Sequence, residues 1–364
     1  MSYLVLYRKY RPQYFKEVIN QKNVILTLAN ALKESKISHA YLFAGPRGTG
    51  KTTVARLLAK ALNCKNRQPN DFEPCNQCES CLAINKGSSL DLIEIDAASN
   101  RGIEDIRALK ENVKFPPANS KYKIFIVDEA HQITKDAFNA LLKTLEEPPP
   151  YIVFILATTE PEKLPATILS RVERYDFKKL NLVDIINRLK YLCEKENIKY
   201  EEEALRLIAL YSEGGLRDAE SLLGQISLIT SNNITKESVE ELTGAINLEK
   251  IKRFIDSLIK KDKGKAISFV NEIYDQGYEL EIFNREVINY LRKLLLLKIS
   301  PSLASILEKE TTDEELSTLF KQAQLIELPY LERLLKRLVE VQYQIKRSPV
   351  KILPLELFIS EELI

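Results

Sequence analysis

Eight consecutive residues, Gly45-Pro46-Arg47-Gly48-Thr49-Gly50-Lys51-Thr52, match the pattern G-x-x-x-x-G-K-[ST] in full. Three of the 11 glycines in the chain fall in this window. Glycine lets successive backbone N–H groups curl around phosphate oxygens where a side chain would block the approach. Lys51 is expected to reach the β- and γ-phosphates of a nucleotide and Thr52 to ligate Mg²⁺, while the helix that follows presents its positive end to the anion. Such a loop needs an acidic partner at the end of another strand. Ile124-Phe125-Ile126-Val127-Asp128-Glu129 provides one: four apolar residues, then two carboxylates. Asp128 is expected to hold Mg²⁺, directly or through water, and Glu129 to polarise the attacking water as a general base. Two carboxylates together argue for hydrolysis and not only binding.

A second constellation is built from thiols. Cys64, Cys75, Cys78 and Cys81 follow the spacing C-x10-C-x2-C-x2-C. Four thiolates converging on one Zn²⁺ complete its tetrahedron and leave no open position, so this centre is expected to be structural. The loop from Asn66 to Pro74 is polar, contains two prolines and would not fold without a staple. Unrelated free thiols or a redox pair are the competing readings, and the spacing favours the metal. Lys65 and Arg67 sit against Asp71, Glu73 and Glu79, which favours a local brace over a nucleic-acid-binding knuckle. Cys193 stands apart in a helical stretch and reads as an inert buried thiol.

These residues need a scaffold. Residues 40 to 177 alternate short apolar runs with amphipathic stretches, the pattern of a parallel sheet with helical crossovers. The expected strands are Ala40 to Ala44, Leu90 to Asp96, Tyr122 to Val127, Tyr151 to Ala157 and Val172 to Phe177, with a helix from Thr53 to Leu62 after the phosphate loop. Strand signals end near Leu180. Residues 182 to 242 read as four helices, and Gly244 as a helix stop and boundary. Beyond it, Ala266, Ile267, Phe269, Val270, Ile273 and Tyr274 form one apolar stripe and Leu331, Leu334, Leu335, Leu338, Val341 and Ile345 another.

Composition bounds the function. A length of 364 residues implies two or three domains. Lys plus Arg is 53 against 51 Asp plus Glu, leaving a net charge of +2, so bulk positive charge coating nucleic acid is excluded. The longest leucine run, Leu294 to Leu297, falls far short of the ~20 apolar residues that span a bilayer. Residues 1 to 12 carry no cleavable signal pattern, so the expected compartment is the cytoplasm, with no membrane partner.

Larger blocks of sequence carry a resemblance. Tyr7-Arg8-Lys9-Tyr10-Arg11-Pro12, HAYLFAGPRGTGKTT from His39, the four-cysteine insertion, DLIEIDAASNRGI from Asp91, FNALLKTLEEPP from Phe138, ATTEPEKLPATILSR from Ala157 and GGLRDAE from Gly214 resemble the γ/τ subunit family of bacterial DNA polymerase III, the AAA+ ATPase of the clamp loader. The resemblance is dense to about residue 245. It implies an α/β P-loop AAA+ core with a parallel five-stranded sheet and a zinc-binding insertion over residues 1–179, a helical lid over 180–243 and an all-helical oligomerisation collar over 244–364.

The resemblance also implies roles that spacing does not reveal. Thr158 matches the sensor 1 hydroxyl that feels the γ-phosphate. Arg171, after Ser170, matches the finger that reaches a neighbouring subunit's ATP; family members usually carry Cys next, where this chain has Val172. Arg217 matches sensor 2 on the lid. Besides the loop residues Gly45 to Thr52, the ATP contacts implied are Thr53 and, on the adenine side, Arg11, Pro12, Val18 and Ile19. Asn100 and Arg101 are implied DNA contacts. ATP, Mg²⁺ and structural Zn²⁺ are the implied cofactors. The implied partners are further copies of the chain, delta- and delta-prime-type subunits in one ring, the sliding clamp, and primer-template DNA bound without sequence preference at the replication fork. Ile364 falls just after the expected collar, so the helicase- and polymerase-binding extensions of longer members are expected to be absent. A branch-migration helicase is disfavoured by the cysteine insertion and the GGLRDAE segment. A non-hydrolysing scaffold is disfavoured by the intact Lys51, Thr52, Asp128 and Glu129.

Overall fold

Five strands form one parallel sheet: β1 (Ala40–Ala44), β2 (Leu92–Asp96), β3 (Lys123–Asp128), β4 (Ile152–Thr158) and β5 (Glu173–Asp176), in the order β2-β3-β4-β1-β5. These come from a computed structural model, which describes residues 4–363 except 69, 100, 101, 244–247, 308–310 and 312. Both β1 and β4 are buried along their whole length, as an unalternating apolar run requires. Because β4 lies between β1 and β3, the phosphate loop leaving β1, the carboxylates ending β3 and Thr158 ending β4 share the carboxyl edge of the sheet. Parallel α/β sheets bind their ligands at that edge.

Helices cover both faces of the sheet. After α1 (Leu6–Lys9), helices α2 (Lys22–Lys33) and α3 (Lys51–Asn63) bring Leu28, Leu32, Leu57 and Leu58 against Tyr41, Phe43, Ile124 and Ile155. After α4 (Glu79–Lys86), helices α5 (Ile103–Val113) and α6 (Lys135–Glu146) bring Leu109, Val113, Phe138 and Leu141 against Leu42, Phe125, Phe154 and Leu156 on the other face. The alternation of Tyr41 and Phe43 with Leu42 is the two-residue period of a strand placing successive side chains on opposite sides.

A short α7 (Ala166–Leu169) precedes β5, and three helices follow it: α8 (Leu182–Glu196), α9 (Glu202–Tyr211) and α10 (Leu216–Ile229). Asn181 caps α8 by accepting from the Asp184 N–H at 2.8 Å, and Asn197 closes the helix in the left-handed region at φ 54°. Cys193 on α8 is fully buried, and burial pushes its thiol up to about 12. Two strands escape the sequence reading: β6 (Lys199–Tyr200) pairs in parallel with β7 (Asn233–Ile234). Two-residue strands carry too little periodicity to register, and this pair is defined only by a partner more than 30 residues away.

Inter-residue contacts divide the chain into Met1–Thr235 and Lys236–Ile364. The second unit is helical in its described residues: α11 (Lys236–Thr243), α12 (Leu248–Ile259), α13 (Lys263–Asp275), α14 (Leu280–Ile299), α15 (Ala304–Leu307), α16 (Asp313–Leu325), α17 (Leu328–Arg347) and α18 (Leu353–Glu362). Its core joins Phe254, Val270, Phe283, Leu291, Leu334, Leu338 and Phe358 and takes in both apolar stripes expected from the sequence, except Tyr274, which is exposed at the end of α13. Buried Asn284 on α14 donates to the Leu338 carbonyl at 3.0 Å and to Gln342 Oε1 at 2.7 Å on α17, fixing how these two helices register. Among the described residues, no helix is long and apolar enough to cross a membrane.

Candidate nucleotide site and four-cysteine centre

The phosphate loop takes a backbone path that other residues resist. Gly45 has φ 145°, and a Cβ there would lie 2.3 Å from the Phe177 carbonyl oxygen. Gly48 has φ 74°, and its Cβ would come within 3.0 Å of Gly215 Cα at the start of α10. Helix α3 begins at Lys51, two residues before the expected start. Lys51 is buried, and its Nζ donates to the carbonyls of Gly45 at 2.7 Å and Pro46 at 2.8 Å, which bends the side chain back over its own loop. Burial draws its pKa below the usual lysine value, while Glu129 and Asp128 oppose the shift.

Thr52 Oγ1 donates to Asp128 Oδ2 at 2.8 Å, so the hydroxyl and carboxylate expected to share Mg²⁺ are already in contact. Both are hard oxygen donors, the set Mg²⁺ takes beside substrate phosphates. Glu129 adopts φ 49°, uncommon for a residue with a side chain, and its carboxylate accepts from Thr159 Oγ1 at 3.3 Å. Thr158 is fully buried; its carbonyl accepts from Gly45 N at 3.1 Å, and its Oγ1 lies 3.0 Å from His131 Nδ1. The same His131 nitrogen lies 3.5 Å from Glu129 Oε2, and the other ring nitrogen is 3.2 Å from Glu160 Oε1. His131 thus stands between the expected base and the expected sensor. Sequence reasoning passed it over, although it is one of only two histidines and lies two residues after Glu129.

A cavity of about 280 Å³ opens over the loop. Arg47 to Thr53, Asp128 and Glu129 line one side; Arg11, Pro12, Val18 and Ile19 line the other; Leu216, Arg217 and Glu220 of α10 complete it. Gly45 and Pro46 contribute through the carbonyls that hold Lys51. Arg217 places its guanidinium 4.8 Å from the Tyr7 ring centroid and lowers the Tyr7 phenol below its usual value. Three further residues were assigned no role from the sequence, although Asp96 lies in the DLIEIDAASNRGI block. Asp96 lines the cavity from the end of β2, in register with Asp128. Gln21, buried between the loop and the irregular segment after β5, donates to the Lys178 carbonyl at 2.8 Å and accepts from Lys178 N at 3.2 Å. Arg188 on α8 donates to Glu220 Oε1 at 2.8 Å and to the Tyr10 carbonyl at 2.6 Å. Burial raises the Glu220 pKa, and the Arg188 charge works against that shift. Only a three-dimensional pairing reveals these residues.

Arg171 is not among the residues lining this cavity. It donates to Glu146 Oε1 on α6 at 2.6 Å and to the Thr167 carbonyl at 2.7 Å, partly exposed at the surface. Asn100 and Arg101, the expected DNA contacts, lie outside the described residues.

The four-cysteine centre converges as its spacing demands. The sulfur atoms of Cys64, Cys75, Cys78 and Cys81 all lie within 4.8 Å of one another, and none is disulfide-bonded. A tetrahedral ion with Zn–S of about 2.3 Å places its sulfurs about 3.8 Å apart, so the four thiols fit one Zn²⁺ with a small contraction. Backbone N–H groups of Cys75 and Cys78 already point at sulfurs, at 3.3 Å on Cys64 and 3.2 Å on Cys75. N–H donors so placed would also hydrogen-bond the sulfurs of a bound centre.

Sheet order, phosphate loop, paired carboxylates and a helical segment closing the cavity define a P-loop ATPase core of the AAA+ class. Residues 20–181 match the family described as DNA polymerase III, delta subunit; residues 184–230 match the clamp-loader ATPase lid domain, and residues 234–359 match domain III of DNA polymerase III subunits gamma and tau. DNA polymerase III subunit gamma of Buchnera aphidicola subsp. Baizongia pistaciae is 41% identical over 83% of this chain and 81% of that protein. DNA polymerase III subunit tau is 46% identical in Bacillus subtilis and 41% in Escherichia coli, over 88% and 83% of this chain. The chain spans about half the length of those two tau proteins, 57% and 47% respectively. Among solved structures, Thermotoga maritima RuvB T158V aligns over 68% of this chain and 79% of its own at 19% identity and a TM-score of 0.47, too loose a likeness to bear on function. The chain belongs to the DNA polymerase III gamma/tau family.

Proposed function

We propose that this chain is the ATP-hydrolysing motor subunit of a DNA polymerase III clamp loader, using ATP to open the sliding clamp and load it onto primed DNA. The observation that carries the reading is the single cavity in which the phosphate loop, Asp128 and Glu129 meet Arg217. ATP would lie with its phosphates on Gly45 to Thr53 and its base between Arg11, Pro12 and Ile19. Lys51 would exchange its two loop carbonyls for the β- and γ-phosphates. Thr52 and Asp128 would hold Mg²⁺, which supplies charge neutralisation on the phosphates. Glu129 would take the proton of the attacking water, with Thr158 sensing that water beside the γ-phosphate and His131 fixing the spacing between the two. Arg217 would report the γ-phosphate to the lid. Cys64, Cys75, Cys78 and Cys81 would hold a structural Zn²⁺.

Arg171 supports action in trans, because it turns to Glu146 and away from its own chain's cavity. In a ring with further copies and delta- and delta-prime-type subunits, it would complete the neighbour's site. Residues 1–179 would serve as the core, 180–243 as the lid and 244–364 as the collar, with DNA held through its phosphates without sequence preference. The test is reconstitution with clamp, partner subunits and primed DNA. Arg171→Ala should lower DNA-stimulated hydrolysis by about 10³-fold while leaving ATP affinity of the isolated chain unchanged. Unchanged hydrolysis in the ring would overturn the trans finger.

A further inference from the structure

The base side of the cavity is made by a segment with little structure of its own. Between Tyr10 and Gln21 the only regular element is the three-residue turn Phe15–Glu17. Arg11, Pro12, Glu17, Val18 and Ile19 line the cavity, whereas Gln13, Phe15 and Lys16 are held by the four-cysteine loop. Glu73 accepts from both Phe15 N at 2.8 Å and Lys16 N at 2.9 Å, one backbone donor on each carboxylate oxygen. Asn76 donates to the Gln13 carbonyl at 2.8 Å. Phe72 packs its ring 5.9 Å from that of Phe15. Buried Lys60 of α3 completes the junction, donating to the Gln13 carbonyl at 3.1 Å, to Gln13 Oε1 at 2.8 Å and to Asn76 Oδ1 at 2.7 Å.

Every one of these holding residues except Lys60 lies between Cys64 and Cys78. Glu73 is two residues before Cys75, and Asn76 directly follows it at φ 56°, a left-handed turn that brings Cys75 and Cys78 together. The loop's position is therefore governed by what joins its sulfurs.

We propose that the four-cysteine loop positions the base side of the nucleotide cavity, with Glu73 and Asn76 as positioning residues, so that the metal tunes nucleotide affinity from outside the site. The inference rests on the nucleotide reading above. It separates two things a purely structural brace would move together, affinity for the base and affinity for the phosphates.

Calorimetric titration of the full chain with MgATP and, separately, with magnesium tripolyphosphate tests it. Glu73→Gln, Asn76→Gly and the chelator-stripped chain should each bind ATP about tenfold more weakly, with tripolyphosphate affinity held within about twofold. Asn76→Gly keeps the left-handed turn open to the backbone. Glu73→Gln carries the test if Asn76→Gly releases the metal, as zinc content will show. Hydrogen exchange at the Phe15 and Lys16 amides should quicken in the Glu73→Gln and stripped chains. Equal ATP affinity in all four proteins overturns the proposal, and so does a parallel loss for both ligands. An unsubstituted chain that binds neither ligand overturns the nucleotide reading itself, and the proposal with it.

Discussion

The two sides of the cavity are built in opposite ways. The side proposed to take the phosphates comes from contiguous sequence: residues 45 to 52 in one loop and Asp128-Glu129 at one strand end, set side by side by parallel pairing through β4. The side proposed to take the base is assembled from fragments far apart in the chain, with Tyr7, Arg11, Ile19, Arg188 and Glu220 all lining the cavity. Phosphates are alike in every nucleotide and can be met by a rigid loop on a buried sheet. The base side depends on side-chain pairs between separate helices and on a nearly unstructured segment, so it has many more ways to loosen.

Mutations should break the two sides differently. The largest effect is expected on the phosphate side, where Lys51→Ala should lower the hydrolysis rate by about 10³-fold and abolish measurable tripolyphosphate binding by calorimetry. On the base side, Arg188→Met leaves Glu220 buried without its cation and should destabilise the first unit by about 3–5 kcal/mol in urea unfolding. Replacing both partners with apolar residues should recover much of that loss. Glu129→Gln should retain ATP binding while hydrolysis falls by about 10²-fold, which separates holding phosphates from cleaving them.

The smallest effect concerns Glu196 on α8, which accepts from Lys9 Nζ at 2.6 Å and from Tyr10 OH. Lys9 first, and Tyr10 second, hold its pKa below the ordinary 4.5. A depressed carboxylate stabilises the fold above pH 4.5 and loses that contribution as pH falls through its lowered folded value. Glu196→Gln should therefore lower Tm by at most about 3 °C at pH 7, with the difference vanishing in acid.

The same contrast decides what could be read from the sequence. Strand β1 has the expected bounds, and the loop and its carboxylates are where the motifs put them, because a contiguous motif carries its own geometry. The four cysteines converge for the same reason. Arg188 and Gln21 have no local signal, while Glu220 at the end of GGLRDAE and His131 two residues past Glu129 stand in recognisable sequence that names no partner for them. A buried pair 32 residues apart has no local pattern, and a polar residue within a helix looks solvated until its partner is placed. The hold of Glu73 and Asn76 on Gln13, Phe15 and Lys16 was hidden likewise, since Glu73 looked like one of several acids offsetting Lys65 and Arg67.

Where the phosphate loop meets α10, two main chains occupy the space that a single methyl group would need, Gly48 against Gly215. Beside them the Asp218 carboxylate is the side chain at hand, its Oδ2 lying 3.3 Å from a Cβ built on Gly48 and 2.8 Å from one built on Gly215. A displacement of either backbone by a fraction of an ångström must then pass to the other almost undiminished, so the loop and the first turn of α10 behave as one stiff mechanical joint. A Cβ at Gly48 would meet the Gly215 main chain first, whereas one at Gly215 would first meet the Asp218 carboxylate, which can turn aside, and then the Arg47 carbonyl at 3.2 Å, so the joint tolerates a larger residue less at Gly48 than at Gly215.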